Sequence, residues 1–282
     1  MIAEGSRPPI RLIATDIDGT MLRRDGSLSP AVKRSLKAAA HAGIHVVPTT
    51  GRPFVVATDV IESLEHDDYW IFANGAITWH HGRAETVRGY WMQPDRAITM
   101  IERIRTYLPG ASFAVEFETD AIFEHGFERL VTIVDGLHLV PDVTGALESR
   151  VQKILVFDHT RTVDDLYQSV QAAIGNDGVA TYSGLAFVEV AADLVTKAMA
   201  VSELAADLGI DRSEVASFGD NHNDVSMLEW AGRGYAMGNA TTDAMAAADF
   251  VIGTNEDDAL AAQVWNLIAE HDTMGNGTDH SV

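Results

Sequence analysis

The sequence predicts an α/β fold with a doubly wound, mainly parallel sheet and an inserted α+β domain. In residues 1–82 and again in residues 187–270, short apolar runs that end in polar residues alternate with helical patterns, as in a parallel sheet covered on both faces. In residues 83–186, apolar and charged residues instead alternate along the strands. We therefore expect a discontinuous core domain, an inserted domain over residues 83–186, and a disordered tail over the polar residues 271–282.

The first strand lies within residues 11–20, where an apolar run ends abruptly at Asp16 and Asp18. This is the pattern of a buried parallel strand that carries polar groups to its carboxyl end. A helix follows, with Ser29 as its predicted N-cap and Gly43 as the residue that ends it. Between these two residues, apolar side chains recur at helical spacing.

Two further apolar runs, residues 44–48 and 69–73, complete the first half of the core. The first run ends at Thr50-Gly51-Arg52, and the second ends at Asn74-Gly75. The succession of strand, helix, strand, helix and strand is typical of a doubly wound sheet.

The insert is predicted as an antiparallel sheet backed by helices. Aromatic and β-branched residues alternate with charged ones in residues 112–118, 121–124 and 151–157. Such alternation is expected of strands that have one solvated face. Helical patterns over residues 94–108 and 162–174 supply the backing.

The α/β pattern returns after the insert. Helices are predicted over residues 197–208 and 225–231, strands over residues 215–220 and 250–252, and a strand followed by a turn over residues 234–239. The first of these strands ends in a carboxylate, as the strand at the N-terminus does.

Composition narrows the possible functions. The 282 residues are 46% hydrophobic and 22% charged, as in ordinary globular proteins. The net charge of −21 repels phosphate backbones and anionic lipids, so neither nucleic acid nor a membrane is expected as a partner. The absence of cysteine excludes disulfides, a thiol nucleophile and cysteine-bound metals. No apolar run reaches membrane-spanning length, and we expect a cytoplasmic monomer or homodimer.

Three polar clusters follow strands that we expect to be neighbours. They are Asp16 with Asp18, Thr50 with Gly51 and Arg52, and Asp220 with Asp224. Open α/β sheets bind ligands beyond the carboxyl ends of their strands. Four carboxylates in one crevice repel one another, and Mg²⁺, which prefers oxygen ligands, would relieve that repulsion. The alternative is that these acids only cap helices and turns.

Four segments, taken in order, resemble the motifs of the haloacid dehalogenase superfamily, whose members are mostly phosphatases. The first motif is similar to Asp16-Ile-Asp-Gly-Thr20 and the second to Thr50-Gly51-Arg52. Lys197 fits the third motif, and the run from Gly219 to Asp224 resembles the fourth. The large insert between the second and third motifs, together with residues 236–240, resembles the Cof-like branch that carries a type IIB cap. The resemblance implies an α/β core with an α+β cap.

The resemblance also implies roles for the acidic residues. Asp16 is the expected nucleophile and forms an aspartyl-phosphate, while Asp18 protonates the leaving group and later deprotonates water. Mg²⁺ would be held by Asp16, the backbone carbonyl of Asp18, and Asp220. Asp224 is expected to orient these ligands from behind. His222 is expected to be a solvent-facing neighbour rather than a ligand.

Five residues are expected to bind the transferring phosphoryl group. Thr50 would donate its hydroxyl, Gly51 lets the backbone approach closely, and Lys197 supplies a cation. The alternative for Lys197 is a solvated helix lysine. Arg52 is expected to contact either phosphate or only the protein, and Asn223 either phosphate or its own loop.

The expected function is Mg²⁺-dependent hydrolysis of a small phosphorylated metabolite, with sugar phosphates as the leading class implied by the resemblance. A phosphotransferase or phosphomutase would use the same intermediate, and a non-catalytic metabolite-binding regulator is the remaining alternative. Glu116, Glu118 and Arg129 of the insert are candidates for contacts to substrate hydroxyl groups, unless they lie on a solvated face.

Overall fold

The computed structural model describes residues 7–127 and 138–275. Within these residues the chain forms a five-stranded sheet, a six-stranded sheet and a three-stranded sheet, with helices packed on the first two. The predicted α/β fold with an inserted α+β part is therefore confirmed. No helix among the described residues combines the length and the apolar composition that crossing a bilayer requires.

The elements are numbered in chain order. The strands are β1 (Leu12–Thr15), β2 (His45–Pro48), β3 (Tyr69–Phe72), β4 (Ile77–His80), β5 (Glu85–Gly89), β6 (Ser112–Glu116), β7 (Ala121–Glu124), β8 (His138–Val140), β9 (Lys153–Phe157), β10 (Gly178–Thr181), β11 (Val188–Ala192), β12 (Val215–Gly219), β13 (Arg233–Ala236) and β14 (Phe250–Val251). The α-helices are α1 (Pro30–His41), α2 (Thr58–Leu64), α3 (Pro94–Tyr107), α4 (Val163–Ile174), α5 (Lys197–Asp207), α6 (Val225–Trp230), α7 (Thr242–Ala247) and α8 (Ala259–Gly275).

The five-stranded sheet, here called the core sheet, has the order β14-β13-β12-β1-β2, and all its strands are parallel. Strand β1 is buried on both faces because helices cover the sheet from both sides. Ile13 packs in the apolar cluster of α1 and α8, whereas Leu12 and Ala14 pack in the cluster of α5 and α6. This arrangement explains why β1 is a continuous apolar run rather than an alternating one.

Helix α1 begins as the sequence predicts. The Ser29 hydroxyl accepts a hydrogen bond from the backbone N–H of Val32 at 3.1 Å, and Pro30 occupies the first turn. Gly43, which follows the helix, has a φ of +83°, a value that glycine adopts without steric cost. The helix packs against α8 and returns the chain to β2, beside β1.

The register of the core sheet sets the position of the site. Thr15 lies opposite Phe218 on one side and opposite Pro48 on the other. The carboxyl ends of β1, β2 and β12 therefore reach the same edge, as we expected from the sequence. The segments that follow these three strands begin at Asp16, Thr49 and Asp220.

The six-stranded sheet, here called the cap sheet, has the order β10-β11-β9-β6-β7-β8. It is antiparallel except for the pair β7 and β8. One face packs on α3 and α4 through residues such as Val115, Ile154 and Val190. Because successive side chains of a strand alternate, the residues next to these in sequence point to the opposite face.

Two strands lie across the predicted domain boundaries. Strand β5 falls within residues 83–186 but pairs with β4, which in turn pairs with β3. Strand β11 follows residue 186 but belongs to the cap sheet, between β9 and β10. Local residue patterns do not reveal these pairings, because a strand's partner is chosen by packing between distant segments. The boundaries themselves remain predictions.

The predicted tail is helical in its first part. Helix α8 extends from Ala259 to Gly275, so residues 271–275 are helical rather than disordered, and residues 276–282 lie outside the described residues. The buried side chains of Val264, Leu267 and Ile268 anchor the helix. A helix anchored in this way continues through polar residues that would not begin one.

Candidate active site

A buried lysine lies between two carboxylates at the carboxyl edge of the core sheet. Lys197, the first residue of α5, places its Nζ 2.5 Å from Oδ1 of Asp16 and 2.6 Å from Oδ1 of Asp224. All three side chains are buried. The alternative of a solvated helix lysine is therefore wrong for Lys197, because α5 begins directly behind β1 and points its first side chain into the site.

Asp224 holds the loop that follows β12. Its Oδ2 accepts hydrogen bonds from the backbone N–H groups of Asp220, at 2.9 Å, and of Asn221, at 3.0 Å. Its other oxygen binds Lys197. One carboxylate thus connects the loop to the lysine, and this fixes the direction in which Asp220 faces.

The local electrostatics favour an additional cation. Burial raises the pKa of Asp16 well above its usual range, and the negative charge of Asp224 adds to the effect, although Lys197 opposes it. Burial and the charge of Asp224 likewise raise the pKa of Asp220 to about 7. Burial alone would lower the pKa of Lys197, but its two carboxylate partners outweigh burial and raise it. One lysine does not neutralise three buried carboxylates.

The same carboxylates form a donor set that fits a hard metal ion. One oxygen each from Asp16, Asp220 and Asp224 lies within 4.8 Å of the other two. Such an all-oxygen, negatively charged set is what Mg²⁺ selects, and a divalent cation would favour the ionised forms that burial opposes. Both oxygens of Asp224 are bonded within the protein, one to Lys197 and the other to two backbone N–H groups, and its expected role behind the ligands stays a prediction.

Asp18 and Arg52 form an ion pair at the entrance. Nε of Arg52 donates to Oδ2 of Asp18 at 2.7 Å, and Nη2 donates to Oδ1 at 2.5 Å. Hydrogen bonding to Asp18 raises the pKa of the Arg52 guanidinium. The Asp18 side chain is about half exposed, so it remains accessible to a ligand that enters from solvent.

The loop after β1 is held against Asp220. The Thr20 hydroxyl donates to Oδ1 of Asp220 at 3.0 Å, a hydrogen bond between residues that are 200 positions apart in the chain. Gly19 has a φ of +82°, and a Cβ at this position would lie 2.3 Å from Oδ2 of Asp220. Glycine is required here for both its backbone conformation and the close approach of the Asp220 carboxylate.

The loop of Thr50, Gly51 and Arg52 is closed by its own hydrogen bonds. The Thr50 hydroxyl accepts a hydrogen bond from the backbone N–H of Arg52 at 3.0 Å. The backbone N–H of Thr50 donates to the carbonyl of Ile71 at 2.8 Å, which joins this loop to β3. Because the Thr50 hydroxyl oxygen is the acceptor in its bond with Arg52, the hydroxyl proton remains available to an anion.

Asn223 and Asn74 meet behind this loop. Nδ2 of Asn223 donates to Oδ1 of Asn74 at 3.0 Å, and among the described residues no partner binds Oδ1 of Asn223. Asn74, predicted only as the end of an apolar run, has a φ of +56°. The pair Asn74-Gly75 after an apolar run is a signal for a left-handed turn, but it does not identify the partner.

His222 is not solvent-facing, and that prediction is wrong. Its ring is stacked on Tyr182, with centroids 4.6 Å apart and planes inclined by 3°, and its Nδ1 lies 2.5 Å from Oδ2 of Asp243. Tyr167 packs edge-on against the same ring. Both tyrosines come from the insert, and the position of the insert over this loop is not visible in the local sequence.

The three residues of the insert that are predicted to contact substrate hydroxyl groups lie in different surroundings. Glu116 forms an ion pair with Lys153 in the cap sheet, and the local sequence gives no sign that Lys153 is its partner. Glu118 is exposed, which agrees with a solvated face. Arg129 lies outside the described residues.

Comparison with known proteins identifies the family. The model of a family described as haloacid dehalogenase-like hydrolase matches residues 13–264. The chain belongs to this family, as the order of the four motifs predicts. The match includes the core sheet up to β14, the cap sheet and the first residues of α8.

Individual relatives agree with this assignment. The chain is 28% identical over 274 residues to YxeH of Bacillus subtilis, covering 92% of this chain and 98% of YxeH. It is 27% identical over 271 residues to the pyridoxal phosphate phosphatase YbhA of Escherichia coli, covering 91% of this chain and 98% of YbhA. A solved sugar phosphatase of haloacid dehalogenase subclass IIB matches with a TM-score of 0.78 at 23% identity, covering 91% of this chain and 98% of that one.

These matches confirm the predicted resemblance to the haloacid dehalogenase superfamily, and the solved structure shares the fold of this chain. They also identify the chain as an enzyme of the phosphoric monoester hydrolase class.

The buried position of Lys197 yields a stability prediction. Lys197→Met leaves Asp16 and Asp224 without their shared cation, so we expect the free energy of unfolding at neutral pH to fall by about 3 kcal/mol. Lys33→Met is the control, because it removes a surface ion pair with Glu65 and should cost less than about 1 kcal/mol. Urea unfolding followed by circular dichroism measures both, and equal losses would contradict the assigned role of the buried lysine.

Proposed function

We propose that this member of the haloacid dehalogenase-like hydrolase family is a Mg²⁺-dependent phosphatase. It would hydrolyse a small phosphorylated metabolite through an aspartyl-phosphate on Asp16. The observation that carries the proposal is the buried cluster of Asp16, Asp220, Asp224 and Lys197 at the carboxyl edge of the core sheet. Such a cluster combines a carboxylate nucleophile with positive charge at one point, as phosphoryl transfer requires.

In the first step, a carboxylate oxygen of Asp16 attacks the phosphorus atom of the substrate. A bond forms between this oxygen and phosphorus, and the ester bond to the leaving oxygen breaks. Asp18, which takes up a proton from solvent once Arg52 turns from it to the phosphoryl group, gives that proton to the leaving alkoxide. The ammonium group of Lys197, 2.5 Å from Asp16, stabilises the negative charge that is spread over the phosphoryl oxygens.

In the second step, a water molecule gives its proton to Asp18 and attacks the phosphorus of the aspartyl-phosphate. The bond between phosphorus and Asp16 then breaks, which releases inorganic phosphate and restores both carboxyl groups to their starting forms. The half-exposed position of Asp18 supports this role, because the leaving alcohol departs to solvent and the attacking water arrives from it.

The carboxylates of Asp16 and Asp220, with the backbone carbonyl of Asp18, would hold Mg²⁺, which supplies positive charge against the phosphoryl oxygens. Asp224 would orient Asp220 through the backbone of its loop and would hold Lys197 in place. Thr50, Gly51, Arg52 and Asn223 would then bind the remaining phosphoryl oxygens.

The substrate class is proposed from the family. Sugar phosphates lead, and the pyridoxal phosphate phosphatase among the relatives supports a small phosphate ester of some kind. A phosphotransferase or phosphomutase would use the same two aspartates but would need a hydroxyl acceptor in place of water. A non-catalytic regulator has no need for Asp18 beside Asp16.

A phosphate-release screen tests the proposed function. Purified protein with Mg²⁺ is incubated with sugar phosphates, nucleotides and cofactor phosphates, without any added acceptor. We expect release of inorganic phosphate from at least one small ester. Release that depends on an acceptor sugar would favour the transferase, and no release from any ester would favour the regulator.

Substitution of the nucleophile gives a second prediction. Asp16→Asn keeps the size of the side chain but removes the attacking carboxylate, so turnover should fall by about 10³-fold or more. The far-ultraviolet circular dichroism spectrum should match that of the wild type. Undiminished phosphate release by the folded variant would refute the nucleophile assignment.

Metal removal gives a third prediction. Treatment with EDTA should abolish phosphate release, and added Mg²⁺ should restore it. Independently of turnover, Mg²⁺ at 100 times its dissociation constant should stabilise the wild type by about 2.7 kcal/mol and raise its melting temperature. Asp220→Asn should remove most of this thermal shift. A shift of the same size in the variant would exclude Asp220 as a ligand.

A further inference from the structure

A second buried ion cluster lies in the cap sheet, apart from the catalytic carboxylates. Nζ of Lys153 is 2.6 Å from Oε1 of Glu189 and 3.2 Å from Oε2 of Glu116. The Lys153 side chain is 2% exposed and the Glu189 side chain is 4% exposed. Burial alone would lower the pKa of Lys153, but the two glutamates outweigh burial and raise it, so the lysine is charged.

The strand register explains how this cluster forms. Lys153 on β9 lies directly opposite Glu116 on β6, and β9 also pairs with β11, which carries Glu189. The neighbouring residues Ile154 and Val190 pack on the helices of the cap. The three charged side chains therefore point away from those helices.

The cluster contacts the core through the proposed phosphate-binding loop. Nζ of Lys153 donates a hydrogen bond to the backbone carbonyl of Gly51 at 2.9 Å. Oε2 of Glu189 accepts a hydrogen bond from Nδ2 of Asn74 at 2.8 Å, and Asn74 in turn binds Asn223. Hydrogen bonds thus connect the cap sheet to the loop after β2 and to the loop after β12.

The loop at Gly51 is confined from two directions. A Cβ at this position would lie 3.1 Å from Oδ1 of Asn74, closer than most side-chain contacts. On the other side, its carbonyl is bound by Lys153. The amide groups of Thr50 and Arg52 are also held, by Ile71 and by the Thr50 hydroxyl. Displacement of Lys153 would remove the contact that comes from the cap sheet.

Lys153 is poorly suited to bind a substrate directly. Nζ of Lys153 donates hydrogen bonds to Glu189 and to the carbonyl of Gly51, and it forms an ion pair with Oε2 of Glu116 at 3.2 Å. With the side chain 2% exposed, the ammonium group is enclosed by these groups rather than open to a ligand from solvent. Its contribution must therefore pass through the residues that it holds.

We propose that Lys153 is a positioning residue that couples the seating of the cap sheet on the core to the shape of the loop Thr50-Gly51-Arg52. The inference rests on the proposed function, since this loop is the proposed phosphate site. With the cap sheet seated, the ammonium group fixes the Gly51 carbonyl and, through the backbone, the Thr50 hydroxyl and the Arg52 guanidinium. With the cap sheet displaced, the loop loses this bond and binds phosphate more weakly.

The test compares two variants that differ only at Lys153. Glu116→Gln with Glu189→Gln keeps the lysine, and the triple variant adds Lys153→Met. Removing all three charges avoids a buried carboxylate without a partner, which would itself destabilise the fold. The glutamine at position 189 retains an oxygen that accepts from Asn74.

Two readouts are measured on each variant. Amide hydrogen exchange of residues 49–54 reports the order of the loop without requiring turnover. The inhibition constant of inorganic phosphate, measured with p-nitrophenyl phosphate as substrate, reports its affinity for phosphate. Relative to the double variant, we expect the exchange rates of the Thr50 and Arg52 amides to rise about tenfold or more in the triple variant. We expect the inhibition constant of phosphate to rise by the same factor, as for the loss of a charge-assisted hydrogen bond. Exchange in β1 and β12 should not change.

Equal exchange rates of the loop amides in the two variants would overturn the proposal. Faster exchange throughout the core sheet would also overturn it, because it would show that Lys153 only stabilises the fold. Lys153→Gln combined with Glu116→Gln and Glu189→Gln is the second test, since the shorter side chain cannot reach the Gly51 carbonyl and no buried carboxylate loses a partner, and the same criteria apply. If the wild type releases no phosphate, the proposed function fails, but the exchange measurement still decides whether Lys153 orders the loop.

Discussion

The contact between Lys197 and the carboxylates of Asp16 and Asp224 is the interaction on which the site depends. Three carboxylates are buried at one edge of a parallel sheet, and a single ammonium group lies between two of them. In a medium of low dielectric constant, such a group of charges is stable only if its geometry is tightly held. The remaining negative charge is the physical reason to expect a metal ion there.

The fold brings these groups together by register rather than by proximity in sequence. The order β12-β1-β2 places three loops side by side, and each loop carries different functional groups. Asp16 follows β1, Asp220 follows β12, and the loop with Arg52 follows β2. Helix α5 contributes Lys197 from behind the sheet. Interactions between the loops, such as Thr20 with Asp220 and Arg52 with Asp18, then fix their relative positions.

Features of the fold and the site that depend on local residue patterns could be predicted from the sequence. The apolar run of β1, the Ser29 cap and the carboxylates at strand ends follow from periodicity and turn chemistry, and the parallel order follows from the alternation of strands and helices. The partners of Asn74, Lys153 and His222 could not be predicted, because they are chosen where the cap sheet meets the core. The sequence predicts disorder from residue 271, whereas residues 271–275 are helical. Burial of the preceding turns, rather than the composition of these residues, sustains the helix.

The central claim is that the buried lysine and carboxylates allow Asp16 to accept a phosphoryl group covalently. The most direct measurement is to quench the enzyme during turnover and reduce it with borohydride, which converts an aspartyl-phosphate to homoserine. Peptide mass spectrometry then locates the modified residue. We predict homoserine at position 16 and at no other aspartate. Rapid turnover with reduction at another position, or with no reduced aspartate at all, would contradict the account.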